Sequence, residues 1–146
     1  MKIERVEDMR VFQAFYELAI AVERVTRPFG PDFRWLRSQV LRSSESVCAN
    51  MTEAFYSQYS TEYLQGLHRC RREARETLLH LRYAKDSGNL TDEVHRELEA
   101  KGEDALQQLG AVIGSIERKI QERGRAKPGS AMVKEEEGDY HTPHSP

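Results

Sequence analysis

The stretch LRSQVLRSSESVCANMTEAF, residues 36–55, carries two stripes at once. Leu36, Val40, Val47, Met51 and Ala54 recur at three- and four-residue spacing, which puts them on one face of an α-helix. Gln39, Ser43, Ser46, Asn50 and Glu53 follow the same spacing immediately beside them, so an unbroken polar stripe flanks the apolar one. Buried Asn and Glu are costly unless paired. The polar stripe is therefore expected to be a hydrogen-bonded seam that fixes the register of neighbouring helices or subunits, with Gln39, Ser46, Asn50 and Glu53 as its members. If the next helix runs antiparallel, Arg69 and Arg72 are candidate partners for Glu53, Ser46 or Asn50.

Working outward, this helix is predicted over Phe33–Ser57, with Asp32 placed to cap its start. Upstream, Pro28, Gly30 and Pro31 in the segment PFGPD end a first helix running from about Glu7 to Arg27. That first helix bears two apolar sets: Val11, Phe15, Leu18, Val22 and Val25, and alongside them Phe12, Tyr16 and Ala19. Such a face is wider than one packing stripe requires, so part of it is expected to contact another subunit. Downstream, Ser60 or Thr61 can cap a third helix that continues to Asp86 and stops at Gly88. Tyr63, Leu67, Cys70, Ala74, Leu78 and Leu81 line one of its faces. A fourth helix begins at the cap Thr91, with Asp92 and Glu93 at the positive end of its dipole. Its core positions are Val94, Leu98, Leu106, Leu109, Ile113, Ile116 and Ile120. Four amphipathic helices joined by short connections predict an all-α, antiparallel, up-down-up-down four-helix bundle over residues 1–123. Residues 124–146 are polar, rich in Pro and Gly, and are expected to form a disordered tail.

The bulk figures fit one such domain. The chain has 146 residues, 38% hydrophobic and 32% charged, with a formal net charge of −2. That balance gives no general attraction to nucleic acid or to an anionic membrane, so such binding needs a local patch. No stretch nears the ~20 apolar residues that span a bilayer, and MKIERVEDMR lacks the apolar run of a signal peptide. Together with the charge balance, this predicts no membrane partner; Cys48 and Cys70 lie within predicted helices and form no CxxC pair, which predicts reduced thiols and a cytoplasmic setting.

Catalytic chemistry finds little footing. A di-iron bundle needs two Glu-x-x-His pairs, whereas the nearest approach is Glu76 and His80, four apart and without a second copy. His68 and His95 have no matching partners, and His141 and His144 lie in the tail. The two cysteines lack a positioned base, and the dispersed glycines build no phosphate loop. No catalytic residue, metal or cofactor is therefore expected. The third helix carries the more informative charges. His68, Arg71, Arg75 and Arg82 fall on one flank of its apolar face, and Glu62, Glu73 and Glu76 on the other. Thr61 to Lys85 holds six basic and three acidic residues, net +3, while Thr91 to Arg123 holds five and eight, net −3. The plainest reading is a solvated surface with local ion pairs of about 0.3–0.5 kcal/mol each. Two sharper readings place phosphates on the basic edge, or bring the basic and acidic edges together between copies of the chain.

The run 36–55, followed by STEYLQGLHRC, resembles the four-helix-bundle proteins encoded in intervening sequences of bacterial 23S ribosomal RNA genes. Their pattern, L-x-x-Q-x-x-R-x-x-x-S-I-x-x-N-I-x-E-G, lands on Leu36, Gln39, Arg42, Ser46, Val47, Asn50, Met51 and Glu53, and a later family Glu matches Glu76. Ala54 stands where the family usually has Gly, and Arg72 and Glu73 replace its Gly-Ser pair. The resemblance covers about Glu7 to Arg123. It implies an antiparallel bundle, often a homopentameric ring, without established enzymatic activity. Relatives include accessory variability proteins of diversity-generating retroelements, which resemble basic pentamers that bind a reverse transcriptase and its RNA.

The sequence thus favours a non-catalytic oligomeric bundle that binds nucleic acid, RNA or DNA, or a nucleic-acid enzyme through His68, Arg71, Arg75 and Arg82. The alternative is a purely structural or protein-interaction homo-oligomer whose charged edges only build the assembly.

Overall fold

The computed structural model describes residues 2–126. They form four α-helices and no strand: α1 Arg10–Thr26, α2 Arg34–Phe55, α3 Ser60–Asp86 and α4 Asp92–Ala126. The expected tail, with His141 and His144, lies outside the described residues apart from the last turn of α4, which continues to Ala126.

Cross-helix contacts fix an antiparallel order. Arg37 at the start of α2 reaches Glu23 and Thr26 at the end of α1. Thr77 bonds Ser43, and the Cys70 thiol approaches the Val47 carbonyl at 3.3 Å, so α3 runs back along α2. Arg75 meets Glu103, and His68 meets Glu117, so α4 reverses direction again. Lys101 of α4 pairs with Glu17 of α1 at 3.1 Å and closes the ring of four.

The core is the set of stripes read from the sequence, drawn inward. Val11, Phe15, Leu18 and Val22 of α1, Leu36, Val40, Val47 and Met51 of α2, Tyr63, Leu67, Cys70 and Leu81 of α3, and Leu98, Leu109, Ile113 and Ile116 of α4 are all buried. Fully burying one such side chain stabilises the fold by roughly 1.5–3 kcal/mol. Val25, Leu78, Val94 and Ile120, expected on the packed faces, are only partly buried, and the inward position beside Leu78 is Thr77. Thr77 is tolerated there because its hydroxyl lies 2.9 Å from the Glu73 carbonyl, to which it can donate, and 2.8 Å from the Ser43 hydroxyl, from which it can accept.

Helix ends follow local chemistry. Thr91 caps α4 by accepting the Val94 N–H at 3.1 Å, and Gly88 closes α3 at φ +84°, a conformation that disfavours any Cβ. Two starts differ from expectation. Asp32 makes no capping bond; it sits in the 3-10 turn Pro31–Phe33 that leads into α2. The first helix does not begin at Glu7: Val6–Asp8 is a separate 3-10 turn, and an extended Met9 precedes α1. That break lets Met9 bury fully, with its sulfur 3.8 Å from the Tyr63 hydroxyl. At α3, Tyr59 rather than Ser60 or Thr61 occupies the cap position, and Glu62 Oε1 accepts the Tyr59 N–H at 3.3 Å.

Candidate functional site

The polar stripe of α2 faces α3, and its geometry explains why the residues there are small. A Cβ added at Gly66 would lie 2.5 Å from Ala54 Cβ and 3.3 Å from Ala54 Cα, so the two backbones approach too closely for any side chain at 66. Ser43 is buried and bonded to Thr77. Asn50 and Ser46 are half-buried and satisfy each other: Asn50 Nδ2 donates to the Ser46 carbonyl at 2.9 Å and to its Oγ at 3.0 Å. Gln39 and Glu53 lie at the exposed margin of the stripe.

The ionic partners across this seam are not those expected from the sequence. Among the described residues no hydrogen bond or ion pair joins Arg69 or Arg72 to Glu53, Ser46 or Asn50. Arg42 of α2 instead reaches across to Glu73 at 3.5 Å and to Glu76, and His80 Nε2 sits 3.3 Å from the same Glu76 carboxylate. The antiparallel register puts Arg42 opposite the acidic flank of α3, whereas Arg69 and Arg72 point outward. The sequence held a signal for this, since Arg42 and Glu76 are both matched positions of the family pattern.

The basic flank of α3 lies along α4. His68 Nε2 is 3.9 Å from Glu117 Oε2. The Arg71 guanidinium lies over Gly110, where an added Cβ would be 3.9 Å from it. Arg75 Nη1 donates to both oxygens of Glu103 at 3.2 and 3.0 Å. Arg82 is exposed and shares a polar cleft of about 340 Å³ with Lys85, Asp92, His95, Arg96 and Glu99. The basic edge of one helix and the acidic edge of the next therefore meet inside a single chain. Pairs this exposed are worth about 0.2–1 kcal/mol each. Arg71 and Arg82 carry no ion pair among the described residues.

The two buried thiols are silenced. Burial pushes the Cys48 and Cys70 thiols up to about 12, so neither supplies a thiolate near neutrality. No group of three or more metal-ligating side chains converges among the described residues, and none of their helices is long and apolar enough to cross a membrane.

The surface also keeps apolar side chains in solvent on two faces. On α1, Tyr16 is 54% exposed and Ile20 36%, and Tyr16 stacks on Phe12 with ring centroids 6.0 Å apart. They border a groove of about 530 Å³ between α1 and α2. On the other side of α2, Trp35 is 51% exposed and packs edge-on against Tyr83 of α3, itself 50% exposed, at 5.5 Å. Leu79, one turn before Tyr83, is 62% exposed. The width of the α1 face was legible in its spacing. The Trp35, Leu79 and Tyr83 cluster was not, because it joins residues on two helices that only the register brings together.

Antiparallel amphipathic helices around one apolar core, with a close-packed α2–α3 seam, define an all-helical bundle. Residues 7–111, more than half of the chain, match the family described as 23S rRNA-intervening sequence protein, and the chain belongs to that family. No curated protein matches the chain.

Proposed function

We propose that this chain is a non-catalytic, self-associating helical scaffold that works by binding. The observation that carries the reading is the apolar surface left in solvent on two faces, around Tyr16 and Ile20 and around Trp35, Leu79 and Tyr83. Scattered apolar side chains are ordinary on a surface, but contiguous clusters rimmed by polar residues mark sites of association. Membership of the intervening-sequence family supports the same reading, as does a basic flank of α3 that already faces carboxylates of α4. Assembly as a closed ring, a homopentamer as the family resemblance implies, is the form we favour. Light scattering on the purified chain is expected to return a multiple of the 16.9 kDa monomer mass. Because the contacts are apolar, that mass should persist at about 1 M salt, where the Debye length falls to about 3 Å. A 16.9 kDa particle at all concentrations overturns the proposal.

A second reading has its own support. Arg71 and Arg82 remain without an ion pair among the described residues, and His68 and Arg75 lie on the same flank. In this reading the assembly presents repeated basic edges to RNA or DNA, as an accessory subunit of a reverse-transcriptase ribonucleoprotein in a diversity-generating retroelement. Arg71→Glu combined with Arg82→Glu should then weaken RNA binding at least tenfold and flatten its salt dependence, each lost phosphate contact removing about 0.7 from the slope of log K against log salt for a single strand. RNA affinity unchanged by the pair of substitutions rules this reading out.

A further inference from the structure

The α3–α4 interface changes character at its loop end. Farther along, ion pairs join the two helices, Arg75 with Glu103 and His68 with Glu117. At the end of α3 and the start of α4, Arg82, Lys85, Asp92, His95, Arg96 and Glu99 line a cleft of about 340 Å³, and among the described residues no ion pair crosses it. Lys85 pairs with its neighbour Asp86 at 3.4 Å, and Arg82, Arg96 and Asp92 have no ion-pair partner among the described residues. Cations and carboxylates are thus held apart around the cleft instead of neutralising one another. His95 is an independent observation. It is only 7% exposed, yet its Nε2 has no hydrogen-bond partner among the described residues. Glu99 Oε2 lies 3.9 Å away, too far for a hydrogen bond. Buried polar atoms are nearly always satisfied, so one left open on the wall of a polar cleft calls for a partner from outside the chain.

We infer that this cleft binds a phosphate monoester whose remainder offers hydroxyl donors, the chemistry shared by a free sugar phosphate and the 5′-terminal nucleotide of an RNA. Arg82 and Arg96 take the phosphate from two different helices, since a guanidinium fork matches a pair of phosphate oxygens. Lys85 adds a third positive charge, and the His95 ring, with its proton on Nε2, donates to a further oxygen. The positive end of the α4 dipole favours an anion at the same place. Asp92 and Glu99 decide between an ester and a bare anion. Three cations face two carboxylates, an excess of one, so a ligand that gives the carboxylates hydroxyl groups to accept from is held better than a bare dianion that only repels them. The volume lies at the small end of ligand pockets and suits a sugar phosphate more than a dinucleotide. A divalent cation is disfavoured by the three positive side chains. The site stands without the proposed self-association, and it shares only Arg82 with the basic flank of α3.

Isothermal titration calorimetry of the full chain tests the assignment with three probes: ribose 5-phosphate, inorganic phosphate and ribose. Ribose 5-phosphate should bind at least tenfold more tightly than inorganic phosphate, and ribose should give no binding heat. Arg96→Glu should weaken ribose 5-phosphate at least tenfold; Arg96 is exposed and lies on α4, so the fold is expected to survive and the loss does not report on the basic flank of α3. His95→Phe should lose as much, and His95→Gln, whose amide restores a donor, should recover part of it. Circular dichroism checks each fold, and the Arg96 result stands even if the buried His95 position tolerates neither change. Asp92→Ala combined with Glu99→Ala should bring the two phosphates together, with inorganic phosphate gaining and ribose 5-phosphate losing its advantage. Two RNA oligonucleotides of one sequence then separate the sources: at least tenfold preference for the 5′-phosphorylated over the 5′-hydroxyl strand supports an RNA end, and equal affinities support a free sugar phosphate. No binding of ribose 5-phosphate at millimolar concentration, affinity unchanged by Arg96→Glu, or inorganic phosphate binding as tightly as the ester would each overturn the inference.

Discussion

Phe15→Ala is expected to lower folding stability by about 3–5 kcal/mol, the usual cost of removing a large aromatic side chain from a core. Phe15 is 1% exposed and sits in the middle of α1, a helix of 17 residues that is marginal in isolation and depends on its packed face. Against a total stability of about 5–15 kcal/mol typical of small domains, that loss is a large fraction of the whole. Urea denaturation followed by circular dichroism would measure it. The informative comparison is Tyr16→Ala on the same helix. Tyr16 is more than half exposed, so its truncation should leave the urea midpoint of the monomer almost unchanged and act on assembly instead. Equal losses for the two variants would contradict the division of α1 into a packed face and a docking face.

The second large effect is expected where α2 and α3 come closest. Gly66→Ala puts a methyl 2.5 Å from Ala54 Cβ and 3.3 Å from Ala54 Cα. Because one of those atoms is backbone, the helices themselves must part, at a cost of about 1–3 kcal/mol. The better helix propensity of Ala offsets roughly 1 kcal/mol of it. Ala54→Gly, which restores the residue the family pattern carries at this position, costs about 1 kcal/mol alone for the same propensity reason. Combined, the two changes only move the methyl from one helix to the other. The double variant is therefore expected to be more stable than the sum of the singles by about 0.5–3 kcal/mol, the range found for residues in contact. Strict additivity in denaturant titrations would mean that the backbones do not meet at this point.

The bundle was legible because its signals are local. The three- and four-residue spacing of Leu36, Val40, Val47 and Met51, the Thr91 cap and the Gly88 stop each depend on a few neighbouring residues, and each is found where the spacing placed it. The start of α1 was not legible, because the break at Met9 serves a contact with Tyr63, 54 residues away. The same holds for the seam. Periodicity showed that a polar stripe would flank the core of α2, but pairing depends on register between helices, and register gave the ionic partners to Arg42 rather than to Arg69 and Arg72. Charge patterning on α3 separated a basic from an acidic flank correctly: Glu73 and Glu76 face α2, while His68 and Arg75 face α4. What patterning alone did not reveal is that the acidic partner of the basic flank sits in the same chain. That placement shifts weight from charge to apolar surface as the basis of assembly.

Sedimentation equilibrium of the intact chain tests the central claim most directly. The account predicts a discrete assembly heavier than two 16.9 kDa chains, which dissociates on dilution and resists high salt. A single 16.9 kDa species throughout the concentration range would contradict it.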